Sequence, residues 1–167
     1  MGSLPEGARA ALIARAGPEH HAEALALIGA VYAEYGMTFE PDGWDRDLRD
    51  IDAQYGDAGG AFWVLLADGR VVGTVAMVPL DPRTVEMKRV YLHREYRGRG
   101  LGRALLEHAL RWAAAAGYGA VVAWSDVRLI HAHPVYERLG FHRFGERTVD
   151  DADRSHEIGF RKVLQPG

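Results

Sequence analysis

Cysteine is absent from this chain of 167 residues. Its absence excludes a disulfide framework, a thiolate metal site and a cysteine nucleophile. The sequence also has no apolar run long enough to cross a bilayer, and residues 1–7 lack the apolar core of a signal peptide. These absences predict a cytoplasmic protein that makes no use of a membrane.

A surplus of positive charge is missing as well. The 20 lysine and arginine residues are outnumbered by 23 aspartate and glutamate residues, so the formal net charge is -3 at pH 7. This balance argues against general affinity for nucleic acids. The length suits one domain with a substantial core, and no repeat or linker interrupts the chain. We therefore expect a flexible leader over residues 1–9 and a single domain over residues 10–167.

Hydrophobic spacing predicts alternating strands and helices. Strands are expected over residues 10–16, 61–67, 70–78, 84–92, 120–124 and 157–164, and helices over 19–35, 41–55, 103–116 and 131–139. An Asp-Gly pair between the second and third of these strands predicts a tight antiparallel hairpin. The order of elements is typical of an α/β domain with a mixed sheet.

The segment from Arg97 to Gly102 reads Arg-Gly-Arg-Gly-Leu-Gly and leads directly into a helix. Glycine permits backbone conformations that other residues avoid, and a helix start offers free N–H groups with partial positive charge. The segment therefore predicts an anion site, most naturally for phosphate, to which Arg97, Arg99 and Arg103 add charge. Its spacing fits neither the dinucleotide fingerprint nor a P-loop. On these residues alone, a flexible turn with solvated arginines remains an alternative.

Two motifs in the right order resemble those of the GCN5-related N-acetyltransferase (GNAT) superfamily. The family's Arg/Gln-x-x-Gly-x-Gly/Ala motif is met by Arg97, Gly100 and Gly102. The run from Ala132 to Phe141 resembles the family's Ala-x-x-x-Tyr-Glu-x-x-Gly-Phe motif. The resemblance covers nearly the whole chain. It implies a mixed, mostly antiparallel central sheet of six to seven strands flanked by about four helices.

The resemblance implies acetyl-CoA as cosubstrate and no metal. The pantetheine arm would follow the backbone of a strand in the manner of an added strand, and the pyrophosphate would lie on the glycine-rich segment. The implied cofactor-binding residues are Val90, Tyr91, Leu92, Arg97, Gly98, Arg99, Gly100, Leu101, Gly102 and Arg103.

The strand that would hold the pantetheine breaks its own alternation. Glu86 and Lys88 are polar, whereas Val90 and Leu92 have the same parity and are apolar. A β-bulge near Arg89 would restore the phase, and bulges redirect groups beside active sites. The alternative is a strand end that is buried on both faces.

Amine acetylation needs a group that takes a proton and a group that gives one. An amine of the lysine type has a pKa of about 10.4, so it is mostly protonated at pH 7. The resemblance makes Glu86 the candidate base, and a carboxylate paired with Lys88 or an arginine is the alternative role. Tyr136 is the candidate acid for the leaving thiolate, with aromatic packing as its alternative role. The backbone N–H of Val90 is a candidate donor to the thioester carbonyl.

The chain departs from the family at a few positions. Leu129 stands where many relatives carry an asparagine expected to reach the pantetheine or a water. His131 and His133 are unusual additions. Two histidines need a third ligand to bind a metal, so no metal is expected. A histidine or a water as the base remains open.

The acceptor side is less well defined by the sequence. Carboxylates and aromatic rings suit a cationic amine, and Tyr35 and Asp126 are the predicted acceptor contacts. We expect acetyl transfer to the primary amine of a small molecule or amino-acid-like metabolite by direct attack. Alternatives are a protein or peptide N-acetyltransferase and a non-catalytic acyl-CoA sensor. A homodimer is compatible with the resemblance.

Overall fold

The computed structural model describes residues 11–165, so the predicted leader over residues 1–9 lies outside the described residues. The described chain forms seven strands and three α-helices. The strands are β1 (Ala11–Arg15), β2 (Ala61–Ala67), β3 (Arg70–Pro79), β4 (Thr84–Leu92), β5 (Ala120–Asp126), β6 (His142–Thr148) and β7 (His156–Val163). The helices are α1 (His21–Glu34), α2 (Leu101–Ala115) and α3 (Ala132–Arg138), and short 3-10 and π turns supplement them.

All seven strands form one sheet in the order β1-β2-β3-β4-β5-β7-β6. Every neighbouring pair is antiparallel except β4 and β5, which are parallel. The Asp-Gly pair closes the β2–β3 hairpin as predicted. This arrangement confirms the predicted mixed, mostly antiparallel sheet of six to seven strands.

The sheet separates two hydrophobic cores. Successive residues of β2 face opposite sides, so Phe62 and Val64 pack with the core of α1 while Trp63 and Leu65 pack with the core of α2. Because helices cover both faces, the central strands read as continuous apolar runs rather than as alternating ones.

The parallel pair opens a crevice in the sheet. β4 and β5 are paired only at Thr84–Ala120, Val85–Val121 and Glu86–Val122. Beyond Glu86 both strands continue, but the pairing stops. Ligands of open α/β sheets bind in crevices at the carboxyl ends of parallel strands, so this geometry directs attention to the residues that follow Glu86.

The predicted helix over residues 41–55 is wrong. The segment instead forms a 3-10 turn at Arg46–Arg49 and a π turn at Asp52–Gly56. Some of its aspartate side chains bond to nearby backbone groups: Asp50 Oδ1, for example, accepts a hydrogen bond from the backbone N–H of Ala53. Such local bonds compete with a regular helix. The segment still contributes buried apolar residues to the α1 core.

The hydrophobic spacing of the sequence does not predict strand β6. Phe144 is its single large apolar residue, and most of its side chains are exposed because β6 is an edge strand. An edge strand that buries little surface gives no hydrophobic pattern, so only the fold reveals it. The remaining elements were predicted to within about two residues, the usual uncertainty at element ends.

Candidate functional site

A β-bulge at Arg89 shapes the centre of the molecule. The register between β3 and β4 shifts between Thr74 and Ala76, which pair with Tyr91 and Lys88. Arg89 has a φ of 56°, in the left-handed region that residues with a side chain seldom adopt. The buried Thr74 hydroxyl donates a hydrogen bond of 2.7 Å to the Arg89 carbonyl and so fixes the bulge. The predicted bulge is therefore confirmed.

The Arg89 side chain is buried in a polar network. Its guanidinium bonds Asp45 Oδ1 at 2.8 Å and forms two hydrogen bonds to the Asp47 carboxylate. It also donates to the Tyr32 hydroxyl at 2.9 Å. Burial alone would raise the pKa of Asp47, but the hydrogen bonds and charge of Arg89 hold it below its usual value. The network connects the bulge to α1 and to the irregular segment that follows α1.

Two cavities lie on either side of the strand end after the bulge. The first, which we call the glycine-loop cavity, has a volume of about 350 Å³ and lies between β4, the start of α2 and α3. The second, the carboxylate cavity, has a volume of about 270 Å³ and lies between β4, β5 and the segments around residues 37–45 and 149–155. Both volumes fall within or close to the usual range for small-molecule sites.

The glycine-loop cavity ends on the N-terminus of α2. Gly98 and Gly100 have φ values of 77° and 76°, which a side chain would strain. Gly100 is the residue before the helix, and Gly98, Gly100, Gly102 and Arg103 all line the cavity. The backbone N–H groups of a helix start favour an anion here.

The three arginines of this segment differ in what they offer. Arg97 forms two hydrogen bonds to the Leu92 carbonyl and a two-point ion pair with Glu34, so it fastens the loop to β4 and α1. Arg103 lines the cavity and also pairs with Glu107 at 2.8 Å. Arg99 lies over the ring of Tyr96 at 5.5 Å. The Arg97 guanidinium is therefore already bonded within the protein, and an anion at the predicted site would be held more by backbone N–H groups than by this side chain.

The two cavities meet at a shared wall, formed by residues that line both. These residues are Val90, Tyr91, Leu129 and Tyr136. Tyr136 is only 3% exposed, and burial raises the pKa of its hydroxyl above the ordinary value of 10. At neutral pH its O–H is therefore intact and available as a donor to either cavity. Leu129, the departure from the family motif, adds an apolar surface to the same wall.

Glu86 lines the carboxylate cavity together with Val90 and Tyr136. Burial raises its pKa above the ordinary 4.5, opposed by the charges of Lys88 and Arg147. Among residues 11–165, the Glu86 carboxylate has neither an ion-pair partner nor a hydrogen-bond donor from the protein, although Arg89, Arg128 and Arg147 all pair with other carboxylates. The paired-carboxylate alternative is therefore not what the described residues show.

The two predicted acceptor contacts lie in different places. Tyr35 lines the glycine-loop cavity, where the Arg97 guanidinium lies 5.6 Å from its ring centre. Asp126 lines the carboxylate cavity, but both of its oxygens accept hydrogen bonds from Arg128, at 2.9 and 2.7 Å. Tyr35 therefore lies outside the carboxylate cavity, and the Asp126 carboxylate inside it is already bonded to Arg128.

Sequence reasoning missed two contributors to the site. It found the bulge near Arg89 but not the buried network that its side chain makes. It also missed the segment over residues 149–155, which contributes Asp151, Asp153 and Ser155 to the carboxylate cavity. For the first, the signal was a charged residue at the break in the alternation of its strand, directly before the apolar run from Val90 to Leu92. The second had none, because that segment lies in a polar loop.

Residues 11–165 contain neither a cluster suited to a metal ion nor a helix suited to a membrane. No three or more histidine or acidic side chains there come together in a way that would hold a metal ion. None of the helices in the same range combines enough length and apolar character to span a bilayer.

Comparison with known proteins identifies the fold and the family. The sequence profile of the Acetyltransferase (GNAT) family matches residues 28–141. An acetyltransferase from Streptococcus agalactiae has a similar structure, with a TM-score of 0.82, 26% identity, and coverage of 93% of this chain and 99% of that one. A Salmonella typhimurium acetyltransferase solved with its cofactor acetyl-CoA gives a TM-score of 0.72 at 21% identity, covering 95% and 96% of the two chains. At that identity the second likeness concerns the fold alone.

Curated relatives match a shorter region. The N-acetylaspartate synthetase of Danio rerio is 39% identical over 102 residues, which are 60% of this chain and 36% of that protein. Human N-acetyltransferase 8B is 35% identical over 106 residues, or 60% of this chain and 47% of that protein. The chain thus spans between about a third and a half of the length of these relatives. The profile match covers more than half of the chain, and the sheet, the bulge and the glycine loop agree with it: the chain belongs to the GNAT acetyltransferase family.

Proposed function

We propose that this chain transfers the acetyl group of acetyl-CoA to the primary amine of a small molecule by direct attack. The observation that carries the proposal is the shared wall. One cavity ends on a helix N-terminus suited to a pyrophosphate, the other contains an unpaired carboxylate, and Val90 and Tyr136 face both. A thioester and an amine held in these two cavities would meet at this wall.

The donor would occupy the glycine-loop cavity. We assign its pyrophosphate to the backbone from Gly98 to Arg103, and its pantetheine to the edge of β4 from Val90 to Leu92, where pairing with β5 has ended. Arg97 would act by holding the loop in place, since its donors already bond Glu34 and Leu92. The bound cosubstrate supplies the activated acetyl group.

Three groups of the chain would carry out the transfer. Glu86 would take a proton from the incoming ammonium, directly or through a water, and its raised pKa suits that task. The N–H of Val90 would stabilise the negative charge that develops on the thioester oxygen. Tyr136 would donate its proton to the leaving thiolate, because burial keeps the phenol protonated.

Contacts across the mouth of the carboxylate cavity favour a small acceptor over a protein. Thr38 donates two hydrogen bonds of 2.7 Å to Asp153, and Trp44 Nε1 donates one of 2.8 Å to the Asp150 carbonyl. These bonds join the segments around residues 37–45 and 149–155 above the cavity. All are exposed, so each contributes little and the segments can part to admit a metabolite. A protein acceptor would need an open groove in this place.

Charge in the carboxylate cavity favours a cationic or zwitterionic amine. Carboxylates outnumber cations among its lining residues, with Glu40, Asp45, Glu86, Asp126, Asp151, Asp153 and Glu157 against Lys88, Arg89 and Arg147. Arg89 and Arg147 are already paired, with Asp45 and Glu157 respectively. Lys88 forms no ion pair within residues 11–165 and could receive one carboxylate. We therefore assign to the acceptor an ammonium group and at most one carboxylate.

A dicarboxylate amine is the second candidate. It is favoured by relatives named N-acetylaspartate synthetase, and Lys88 would be its first anchor. The surplus of cavity carboxylates opposes it because like charges repel. Aspartate and asparagine differ in one charge at nearly constant shape, so this pair separates the two candidates.

The test is an acetyl-transfer screen that measures CoA release and the mass of the acetylated product. The panel contains aspartate, asparagine, glutamate, glutamine, lysine, spermidine, an aminoglycoside and short peptides. We expect turnover with a small cationic or zwitterionic amine and a lower KM for asparagine than for aspartate. Preference for aspartate would establish the second candidate, turnover of peptides alone would indicate a protein acetyltransferase, and acetyl-CoA binding without any turnover would indicate a sensor.

Lys88→Gln provides a variant that tests the acceptor charge. If Lys88 receives a carboxylate, its substitution raises the KM of a zwitterionic acceptor about tenfold, which corresponds to 1.4 kcal/mol. The KM of a diamine without a carboxylate should not rise. Arg70→Gln, at the exposed first residue of β3, is the matched control.

A further inference from the structure

Trp124 is the largest side chain that β5 contributes to the carboxylate cavity. Its neighbour Ala123 packs with the core of α2, so Trp124 faces the opposite side of the sheet, where the cavity lies. The residue is half-buried and is not part of the shared wall. It has no role in the mechanism given above.

Two glycines make room for the Trp124 indole. Trp124 is paired with Gly159 on β7, and Gly159 is paired with Gly145 on β6. A Cβ atom on Gly159 would lie only 3.0 Å from Trp124 Cη2, so the outer edge of the indole extends over the bare backbone of β7. Glycine weakens a strand and often marks a close approach. Neither glycine has a positive φ, so at Gly159 it is this close approach, and not the backbone conformation, that requires glycine.

Two further side chains fix the indole in place. The Phe144 ring meets it edge to face, with the ring centres 5.1 Å apart and the planes at 70°. The Arg147 guanidinium lies over the indole, 4.3 Å from the ring centre, and Arg147 Nε donates a hydrogen bond of 2.7 Å to Glu157. We call Trp124, Phe144, Arg147 and Gly159 the indole wall.

The indole wall and the candidate base lie on opposite sides of the carboxylate cavity. Glu86 is paired with Val122, and Trp124 lies two residues further along β5 on the same face as Val122. The indole extends over β7, which is two strand positions from β4 in the sheet. Because neighbouring strands are about 4.8 Å apart, the outer edge of the indole lies about 10 Å from β4, the strand that carries Glu86 and Val90. That distance suits the body of a small metabolite.

The indole wall is also the less yielding boundary of this cavity. The segments around residues 37–45 and 149–155 are joined by exposed hydrogen bonds and can part. Trp124 instead rests on the central sheet, where β5 and β7 are paired along seven residues from Ala120 to Asp126. Side chains on strands hold their positions more precisely than those on loops, so a ligand adapts to this boundary.

We infer that Trp124 limits the length of the acceptor. This inference rests on the proposed function and names a residue that selects the substrate. An amine whose nitrogen reaches Val90 and Tyr136 would have the far end of its body against the indole. Short primary amines would fit between the two, whereas longer ones would withdraw the nitrogen from the thioester. A pocket of fixed size discriminates by about tenfold or more for each methylene group.

The test is the dependence of kcat/KM on acceptor length in a series of linear alkylamines from ethylamine to octylamine. All of them carry one ammonium and a neutral tail, so only the length changes. For the wild type, kcat/KM should rise to a maximum and then fall as the tail meets the indole. In Trp124→Ala the maximum should move to amines at least two methylene groups longer. The kcat/KM of octylamine should rise about tenfold, while that of ethylamine should change less than twofold.

The two glycines provide a second variant and its matched control. A Cβ on Gly159 would lie 2.7 Å from Phe144 and 3.0 Å from Trp124, so Gly159→Ala should displace the indole from the sheet and move the maximum to shorter amines. A Cβ on Gly145 would lie 3.9 Å from Trp124, an ordinary contact, so Gly145→Ala should leave the maximum in place. Trp124→Ala decides the question if it folds, and Gly159→Ala against Gly145→Ala decides it otherwise.

A structural role for Trp124 gives a different pattern. If the indole only supports the sheet, its substitution lowers the midpoint of thermal unfolding and changes kcat/KM by the same factor for every amine. An unchanged maximum in the deciding variant would overturn the inference. Where an alkylamine binds without turnover, its inhibition constant against the best acceptor of the panel replaces kcat/KM.

Failure of the inference and failure of the proposed function are distinguishable. A wild type that acetylates a panel acceptor but neither acetylates nor binds any alkylamine would overturn the length limit and leave acetyl transfer established. A wild type that acetylates no amine at all would reject the proposed function itself.

Discussion

The two cavities are built in different ways. The glycine-loop cavity is formed mainly by residues 90–106 and 129–138, and the anion site proposed for it consists of backbone N–H groups at a helix start. The carboxylate cavity draws on four separated segments, and several of its charged side chains are held in ion pairs. A common cosubstrate can be held by a local motif, whereas a particular acceptor needs a constellation that only the complete fold assembles. The predictions below test this division.

The largest effect is expected from Gly100→Glu, which places a charged side chain in the glycine-loop cavity. The residue has a φ of 76°, and a carboxylate there would oppose the pyrophosphate by bulk and charge. We expect the Kd for acetyl-CoA, measured by calorimetry, to rise at least about 1000-fold, or by 4.1 kcal/mol. Gly69→Glu is the control, because Gly69 has the same φ of 76° but lies at the distant β2–β3 turn with open space around it. Equal binding by the two variants would refute the phosphate site.

Tyr136→Phe tests the shared wall between the cavities. Removal of the phenolic hydroxyl should lower kcat by about 100-fold through loss of the general acid. The ring remains in place, so the Kd for acetyl-CoA should stay within twofold. Steady-state kinetics and calorimetry measure the two quantities, and Tyr118→Phe near Trp112 is the control. Unchanged turnover would remove Tyr136 from the mechanism.

Glu86→Gln tests the free carboxylate on the acceptor side. We expect kcat to fall by about 50-fold, slightly less than for a sole general base because water can take part. Since burial raises the pKa of Glu86, the acid limb of the wild-type profile of kcat/KM should lie above pH 4.5, with activity rising as the carboxylate ionises. The variant should lack this limb. Glu107→Gln on α2 is the control, and an identical limb in Glu86→Gln would assign the base to another group.

Arg89→Lys should give the smallest effect on the reaction and a clear effect on stability. Lysine keeps the positive charge but cannot reproduce all the guanidinium hydrogen bonds to Asp45 and Asp47. Buried carboxylate oxygens that lose their donors lower the free energy of unfolding by about 3 kcal/mol. The network holds the segment around residues 37–45, which lines the carboxylate cavity. The acceptor KM should therefore rise several-fold while the Kd for acetyl-CoA stays constant. Arg49→Lys is the control, because Arg49 pairs with Asp42 in the same segment but is exposed. Equal unfolding curves for the two variants would show that the buried network does not stabilise the fold.

The division between the cavities also explains what the sequence could predict. Residues 97–103 and 132–141 carry local motifs, so the sequence predicted the turn before α2, the two helices α2 and α3, and a tyrosine at position 136 on the second of them. The bulge at Arg89 was predictable because a one-residue insertion leaves a visible break in alternation. The partners of Arg89 were not, because Asp45 and Asp47 reach it across more than 40 residues of chain through tertiary contacts.

For Asp126, the sequence predicted the position but not the hydrogen-bond partners. Its position at the end of β5 was predicted, and the structure places it in the carboxylate cavity. Its neighbour Arg128 then occupies both oxygens, which no pattern of residue types reveals. Position along the chain fixes where a side chain lies, whereas competition among neighbours decides which of its atoms remain free for a ligand.

The central claim is that the two cavities hold both substrates at once and that the amine attacks the thioester directly. Initial rates measured over a matrix of acetyl-CoA and acceptor concentrations test it most directly. We predict double-reciprocal lines that intersect, together with no acetylated protein by mass spectrometry after incubation with acetyl-CoA alone. Parallel lines, accompanied by an acetyl-enzyme intermediate, would contradict the account.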